Sequence, residues 1–315
     1  MAISVEYSGH VSSCAPLRER FHRLPGGRRM RYIEFGDPYG VPVFGFHGTP
    51  GSSFMFRLAD EPARLAGIRL IAPERPGFGK STFQKNRRLA DWPDDLCSLA
   101  DALQLPRFGV AGVSGGGPYA AACAALLPGR VTAAALISPI GPLVPPEGAA
   151  KIGAAQHLIF RILPRLPRVV QSPVSLGRLM FLKAPAATYR FILMRASKVD
   201  FSILSRPEVR LNLLEGVGEG FRPGVRGMLQ EMKIFSATWD IPFQRIEAPV
   251  FLWQGTADRN VPPSAAFHLA ELIPHCQLFK IEGGGHYWVF ENMDTILKTL
   301  KQAMTASELV VEPSR

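Results

Sequence analysis

The chain reads as an α/β protein, a mainly parallel sheet with helices on both faces, interrupted once by a helical insertion. Three observations carry that reading. Apolar runs of strand length alternate with helix-period segments over the first 140 or so residues, the rhythm that builds parallel sheets. From about Pro139 to Arg245 the rhythm stops and no run is convincingly strand-like. It resumes at Pro249-Val250-Phe251-Leu252-Trp253.

Taken in order, Phe21 to Leu24 and Met30 to Phe35 are expected as two strands around the Pro25-Gly26-Gly27 turn. Val41 to Phe46 suits a strand buried on both faces. A helix near Phe54 to Ala66 can start from Ser52 or Ser53 as its cap, and Ile68 to Ala72 is the next strand. Between Asp91 and Leu105, Trp92, Leu96, Leu99 and Leu103 recur at helical spacing. Strands follow at Val110 to Val113 and Val131 to Ile137. In the insertion, Ile159, Ile162, Leu163 and Leu166 fall at helical spacing, with Pro164 and Pro167 limiting helix length. A helix near Ser264 to Ile273, a strand near Gln277 to Ile281 and a helix near Val289 to Met304 complete the series. The predicted organisation is an irregular segment over 1–18, a core over 19–138 and 246–306, an insertion over 139–245 and a tail over 307–315.

With 47% hydrophobic and 20% charged residues, the 315-residue composition is that of a soluble globular protein with a large core. The net charge of +10 favours anionic surfaces over anionic-repelling ones but says nothing of fold. Cys14, Cys97, Cys123 and Cys276 are scattered, without metal-ligand spacing, as suits a reducing compartment; Cys123 reads as buried filler. Met1 to Arg20 lacks a signal-peptide core, and no stretch reaches the length of a membrane span. A cytoplasmic protein without metal or cofactor is expected.

The chemistry starts at Gly112-Val113-Ser114-Gly115-Gly116, between the apolar run Phe108 to Ala111 and an alanine-rich stretch. A strand entering a helix through so tight a turn needs glycines around its apex. The turn exposes the Ser114 hydroxyl and aims the Gly115 amide at the same point. A serine is a weak nucleophile until an oriented base takes its proton. His286, in Gly283-Gly284-Gly285-His286 after a predicted strand, is the candidate base. Asp258, after the strand that reopens the core, is the candidate acid; Glu147, Asp200 and Asp240 are fallbacks, each poorly placed. A second oxyanion donor is expected from Thr49 in His47-Gly48-Thr49-Pro50-Gly51, with His47 and Gly48 shaping that loop.

On these residues, with Arg75-Pro76-Gly77-Phe78-Gly79-Lys80-Ser81, the chain resembles a capped α/β-hydrolase-fold serine hydrolase over about residues 30 to 300. The resemblance implies an eight-stranded sheet, a Ser114–Asp258–His286 triad and a helical cap over the site. It departs at Glu74, where the family often has aspartate in a turn-shaping role. Family members that act on epoxides or haloalkanes use an aspartate nucleophile, so Ser114 argues against both. Gly79-Lys80-Ser81-Thr82 mimics the tail of a phosphate-binding loop, but Glu74 stands where its first glycine would be and would repel phosphate.

The expected activity is hydrolysis of a hydrophobic small-molecule carboxylic ester through an acyl-enzyme. Phe54, Phe78, Tyr119, Trp239, Tyr287 and Trp288 are expected to line an apolar cleft. Carbon–carbon or amide hydrolysis with the same triad, and a ligand receptor with a vestigial triad, are the alternatives. Nucleic acid is not an expected partner. The cap arginines and lysines (Arg161, Arg165, Arg168, Arg178, Lys183, Arg190, Arg195, Lys198) suit at most a weak association with anionic surfaces.

Overall fold

Strands that are apolar on both faces must be covered on both faces, and the fold does this with two helical layers around one sheet. The computed structural model describes residues 18–144 and 157–309; Cys14, Glu147 and most of the expected terminal segments lie outside them. The strands are β1 (Arg18–Arg23), β2 (Arg29–Gly36), β3 (Val41–Phe46), β4 (Ile68–Pro73), β5 (Phe108–Val113), β6 (Val131–Ile137), β7 (Val250–Gly255) and β8 (Gln277–Ile281). They form one eight-stranded sheet in the order β1-β2-β4-β3-β5-β6-β7-β8. β2 runs antiparallel to both neighbours, and every pairing from β4 to β8 is parallel. The expected eight-stranded, mostly parallel sheet is thus present.

Side-chain alternation sorts the core. On β6, Ala134 and Leu136 face one layer, while Ala133, Ala135 and Ile137 face the other. The first layer holds α2 (Trp92–Ala102) and α3 (Gly117–Leu126), and the second holds α1 (Asp60–Ala66). The C-terminal part adds one helix to each, α9 (Pro263–Leu272) to the first and α10 (Val289–Leu309) to the second. From Gly117 to Ala125 every residue of α3 is buried, Cys123 included, so its small alanines set how closely it lies on the sheet. The helix expected near Phe54 begins as a tight turn, Ser53–Ala59, with the Ser52 hydroxyl accepting from the Phe54 N–H, and becomes α1 at Asp60. α10 runs five residues beyond the expected end at Met304. Ser307, assigned by sequence to a tail, donates to Thr132 O at 3.2 Å.

The described part of the segment between β6 and β7 is helical. Short helical turns at Leu158–Ile162 and Leu163–Arg165 precede α4 (Pro167–Lys183), α5 (Pro185–Arg195), α6 (Lys198–Leu204), α7 (Pro207–Gly220) and α8 (Arg226–Phe235). Pro167, Pro185 and Pro207 each open a helix, where a missing N–H costs nothing. Pro167 therefore ends one helical piece by starting the next.

One face of α7 lies on the segment that follows β3. Asn212 Nδ2 donates to Phe54 O at 2.9 Å, Ser52 Oγ donates to Gly216 O at 2.9 Å, and Glu219 pairs with the buried Arg31. Residues 212, 216 and 219 are one helical face. Further along, a Cβ on Gly220 would collide with the Gly51 backbone carbonyl. Gly220→Ala is therefore expected to destabilise the fold by about 1–3 kcal/mol, the usual cost of overpacking against backbone that cannot give way. Urea denaturation of the variant checks this.

Candidate active site

Parallel strands deliver their following loops to one edge of the sheet, where such folds place ligands. β5 arrives there at Val113, and Ser114 turns the chain with φ 54° into the start of α3. A non-glycine residue in the left-handed region is uncommon and costs about 1–2 kcal/mol. The turn also leaves no room at Gly116, where a Cβ would collide with the Phe46 carbonyl.

The loop after β3 meets this turn. A Cβ on Gly115 would collide with the Thr49 side chain and lie 3.2 Å from Thr49 N, so the two backbones are in contact. A Cβ on Gly48 would lie 3.6 Å from that of Ser114. The expected pair of donors, Thr49 and Gly115, is therefore brought together beside Ser114.

What holds the 47–51 loop is buried charge. Arg75, wholly buried, donates to His47 O and Gly48 O and, at 2.9 Å, to Thr49 Oγ1. Glu231 of α8 receives the same guanidinium through both oxygens, with Nη2 to Oε2 at 3.0 Å. It also accepts from Arg87 Nη2 at 2.9 Å and from the Thr49 hydroxyl. Burial alone would raise the Glu231 carboxyl, but Arg75 and Arg87 hold it down at about 2. His47 Nδ1 lies 2.8 Å from Gly48 O, and its Nε2 accepts the Arg75 N–H at 3.2 Å. Burial and the Arg75 charge push its pKa down to about 3, so it is neutral with the proton on Nδ1. The reading of His47 as a shaping residue agrees with this geometry.

β7 and β8 supply the other pair. His286 Nδ1 lies 2.7 Å from Asp258 Oδ2. The second Asp258 oxygen accepts the N–H groups of Asn260 at 2.8 Å and Val261 at 3.0 Å, while Gln254 Nε2 donates to Oδ2 at 3.1 Å. Burial alone would raise the Asp258 carboxyl; the adjacent His286 and these N–H donors hold it below the usual aspartate range. For His286, burial works to lower the pKa, yet Asp258 and the charge of Asp200 together raise it above the ordinary 6.5.

Asp200 is where the sequence reading needs correction. Judged poorly placed, it is 3% exposed on α6, and its two oxygens accept the backbone N–H groups of His286 at 3.1 Å and Tyr287 at 2.9 Å. It grips the loop that carries the imidazole rather than the imidazole itself. A Cβ on Gly285 would collide with this carboxylate, which explains that glycine. The only sequence signal was an acid in a helix N-cap pattern, Ser197-x-x-Asp200, whose Oγ accepts the Asp200 N–H at 3.1 Å.

Glu74 does shape a turn: buried, it accepts from the Ser53 hydroxyl at 2.9 Å and the Lys80 N–H at 2.9 Å. Several aromatics assigned to a cleft are core instead. Phe78, Tyr119, Trp239 and Trp288 are all buried, and the Trp288 N–H donates to Ser138 Oγ at 3.2 Å. An apolar cavity of about 60 Å³ adjoins the site behind Gly48 and Val113, with Met55, Phe290 and Met293 among its walls.

Glu231→Gln removes the counter-charge of two buried guanidinium groups and should cost about 3–5 kcal/mol of stability, measured by chemical denaturation. The native protein should also lose stability in acid in two windows. Unfolding lets His47 take a proton as pH falls from 6.5 towards 3, and Glu231 from 4.5 towards 2; both folded values are depressed, so each contribution is lost on acidification. Asp200→Asn removes one influence that raises His286 and should move the histidine titration to lower pH, which NMR of the imidazole can follow.

A family model described as the alpha/beta hydrolase fold matches residues 41–293. The chain is 26% identical over 256 residues to an uncharacterised hydrolase of Bacillus subtilis, YcgS, covering 78% of this chain and 85% of that one. It is likewise 26% identical over 310 residues to epoxide hydrolase A of Mycobacterium tuberculosis, covering 90% and 96%. Among solved structures, a bromoperoxidase from Bacillus anthracis superposes with a TM-score of 0.69 at 23% identity, covering 91% of this chain and 99% of its own. The enol-lactonase from Burkholderia xenovorans does so at 0.67 and 20%, covering 91% and 100%. These structural likenesses speak for the fold alone, but with the matched model and the eight-stranded sheet they lead to one conclusion: the chain belongs to the alpha/beta hydrolase fold family.

Proposed function

We propose that the protein is a serine hydrolase that cleaves a hydrophobic carboxylic ester in two acyl-transfer steps. The observation that carries the proposal is the His286–Asp258 bond of 2.7 Å on the edge where Ser114 occupies a left-handed turn. Ser114 Oγ attacks the ester carbonyl while His286 Nε2 accepts its proton. Asp258 fixes the Nδ1–H tautomer and stabilises the imidazolium. The amides of Thr49 and Gly115 hold the oxyanion. The imidazolium returns its proton to the departing alkoxide, leaving an acyl-Ser114. Water, deprotonated by His286, then releases the acid and restores the serine.

In this reading the helical segment between β6 and β7 is the cap, and Asp200 and Glu231 are its positioning residues. Asp200 sets the loop of the base, and Glu231, through Arg75, sets the loop of the oxyanion donors. The apolar cavity behind Gly48 and Val113 supports an apolar acyl group. Although one relative is named an epoxide hydrolase, Ser114 favours acyl transfer. Attack by a hydroxyl on an epoxide carbon would leave an ether, which water cannot release through a tetrahedral intermediate.

Ser114→Ala should abolish turnover of p-nitrophenyl esters and labelling by a fluorophosphonate, with the melting temperature retained. Labelling that persists in this variant would refute the assignment. Against esters of graded chain length the native enzyme should show a clear optimum, and a flat profile or a preference for polar amides would refute the substrate class. Because neutral His286 is the base and its pKa is raised, the acid limb of kcat/KM should have its midpoint above 6.5.

A further inference from the structure

A helix on a protein surface normally turns polar residues outward, and α4 does not. Its inward face holds Val170 and Phe181, both buried, with the Phe181 ring 6.5 Å from that of Phe221. The outward face is also apolar. Val169, Pro173, Leu176 and Met180 follow one another at spacings of four, three and four residues, a single stripe, and all are exposed. Leu179 lies beside it, exposed as well, and α5 adds Phe191 and Met194, the latter 76% exposed.

The charge of this region is as one-sided as its hydropathy. Between residues 157 and 199 there are eight arginines and lysines and no aspartate or glutamate, so these 43 residues hold eight of the ten net positive charges. Arg165, Arg168, Lys183, Arg190, Arg195 and Lys198 are all exposed around the stripe. Among the described residues no helix is long and apolar enough to cross a membrane.

We propose that the outer face of α4 and α5 docks on the surface of an anionic phospholipid bilayer. The stripe enters the boundary between headgroups and acyl chains, with the helices in the plane of the surface. The arginine and lysine stems extend along the apolar layer and carry their charges back to the lipid phosphates. A second copy of the chain is a poorer occupant. Pairing this face with itself would bring two sets of eight like charges together, with no carboxylate in the segment to compensate. Each basic residue near an anionic surface contributes roughly fivefold to partitioning, and salt screens it. Docking would bring the site to its apolar substrate, but it does not depend on the hydrolase reading.

The test is co-sedimentation of the full chain with vesicles of phosphatidylcholine alone or mixed with phosphatidylglycerol, at low and high salt. Binding is expected only to the mixed vesicles and should be lost at high salt. The double variants L176E/M180E and R168E/K183E should each weaken it at least tenfold; all four residues are exposed, so unchanged melting temperatures verify folding. Equal binding to both vesicle types, no binding to either, or binding unchanged in L176E/M180E overturns the proposal. So does a dimer in sedimentation velocity that L176E/M180E dissolves while vesicles are not bound, which assigns the face to a second copy. Ser114→Ala protein should bind vesicles like the native chain. Bound but inactive native protein therefore counts against the hydrolase reading alone, and active but unbound protein against the docking alone.

Discussion

A guanidinium group cannot lie unpaired in a protein interior, and Arg75 is buried completely. Its donors are satisfied by two carbonyls and a hydroxyl of the 47–51 loop and by both oxygens of Glu231. The loop can therefore take few other shapes, and α8 can take few other positions, without stranding a charge. Glu231 is under the same constraint from its side, held between Arg75 and Arg87. The order of the proposed oxyanion donors and the seating of α8 are two outcomes of one electrostatic requirement.

Asp200 repeats the device at the other side of the site with weaker means. Instead of a buried cation it accepts two backbone N–H groups, and it does so from a seven-residue helix capped by Ser197. The insertion thus reaches both halves of the site, and its inner and outer surfaces divide the work. The inner one presents carboxylates to the core. The outer one carries the cations and the apolar stripe. A segment without any acid from 157 to 199 acquires its first two useful carboxylates where the chain turns back to the sheet, at Asp200 and further on at Glu231.

Much of this was legible in the sequence because it rests on local rules. The alternation of strand and helix signals predicts the sheet, the glycines around Ser114 predict the turn, and the chain order of Ser114, Asp258 and His286 predicts a pair that lies 2.7 Å apart. What escaped depends on contacts between residues far apart in the chain. Glu231 meets Arg75 across 156 positions and Asp200 meets His286 across 86, and no periodicity records such a pairing. Tyr119 and Trp288 were assigned to a cleft because aromatic rings suit one, yet both are buried. Their polar atoms find partners inside, Tyr119 with Arg87 and Trp288 with Ser138. The end of α10 was missed for a similar reason, since Ser307 is tied to Thr132 on a distant strand.

The pairing of Arg75 with Glu231 also bears on how this scaffold can change. An insertion between two strands is commonly treated as an interchangeable part, free to be shortened, swapped or lost while the sheet persists. Here the last helix of the insertion neutralises a charge that the core keeps in its interior. A different insertion would have to bring its own carboxylate to the same point, or the core would have to give up Arg75 at the same time. The two parts of the chain are therefore bound to vary together.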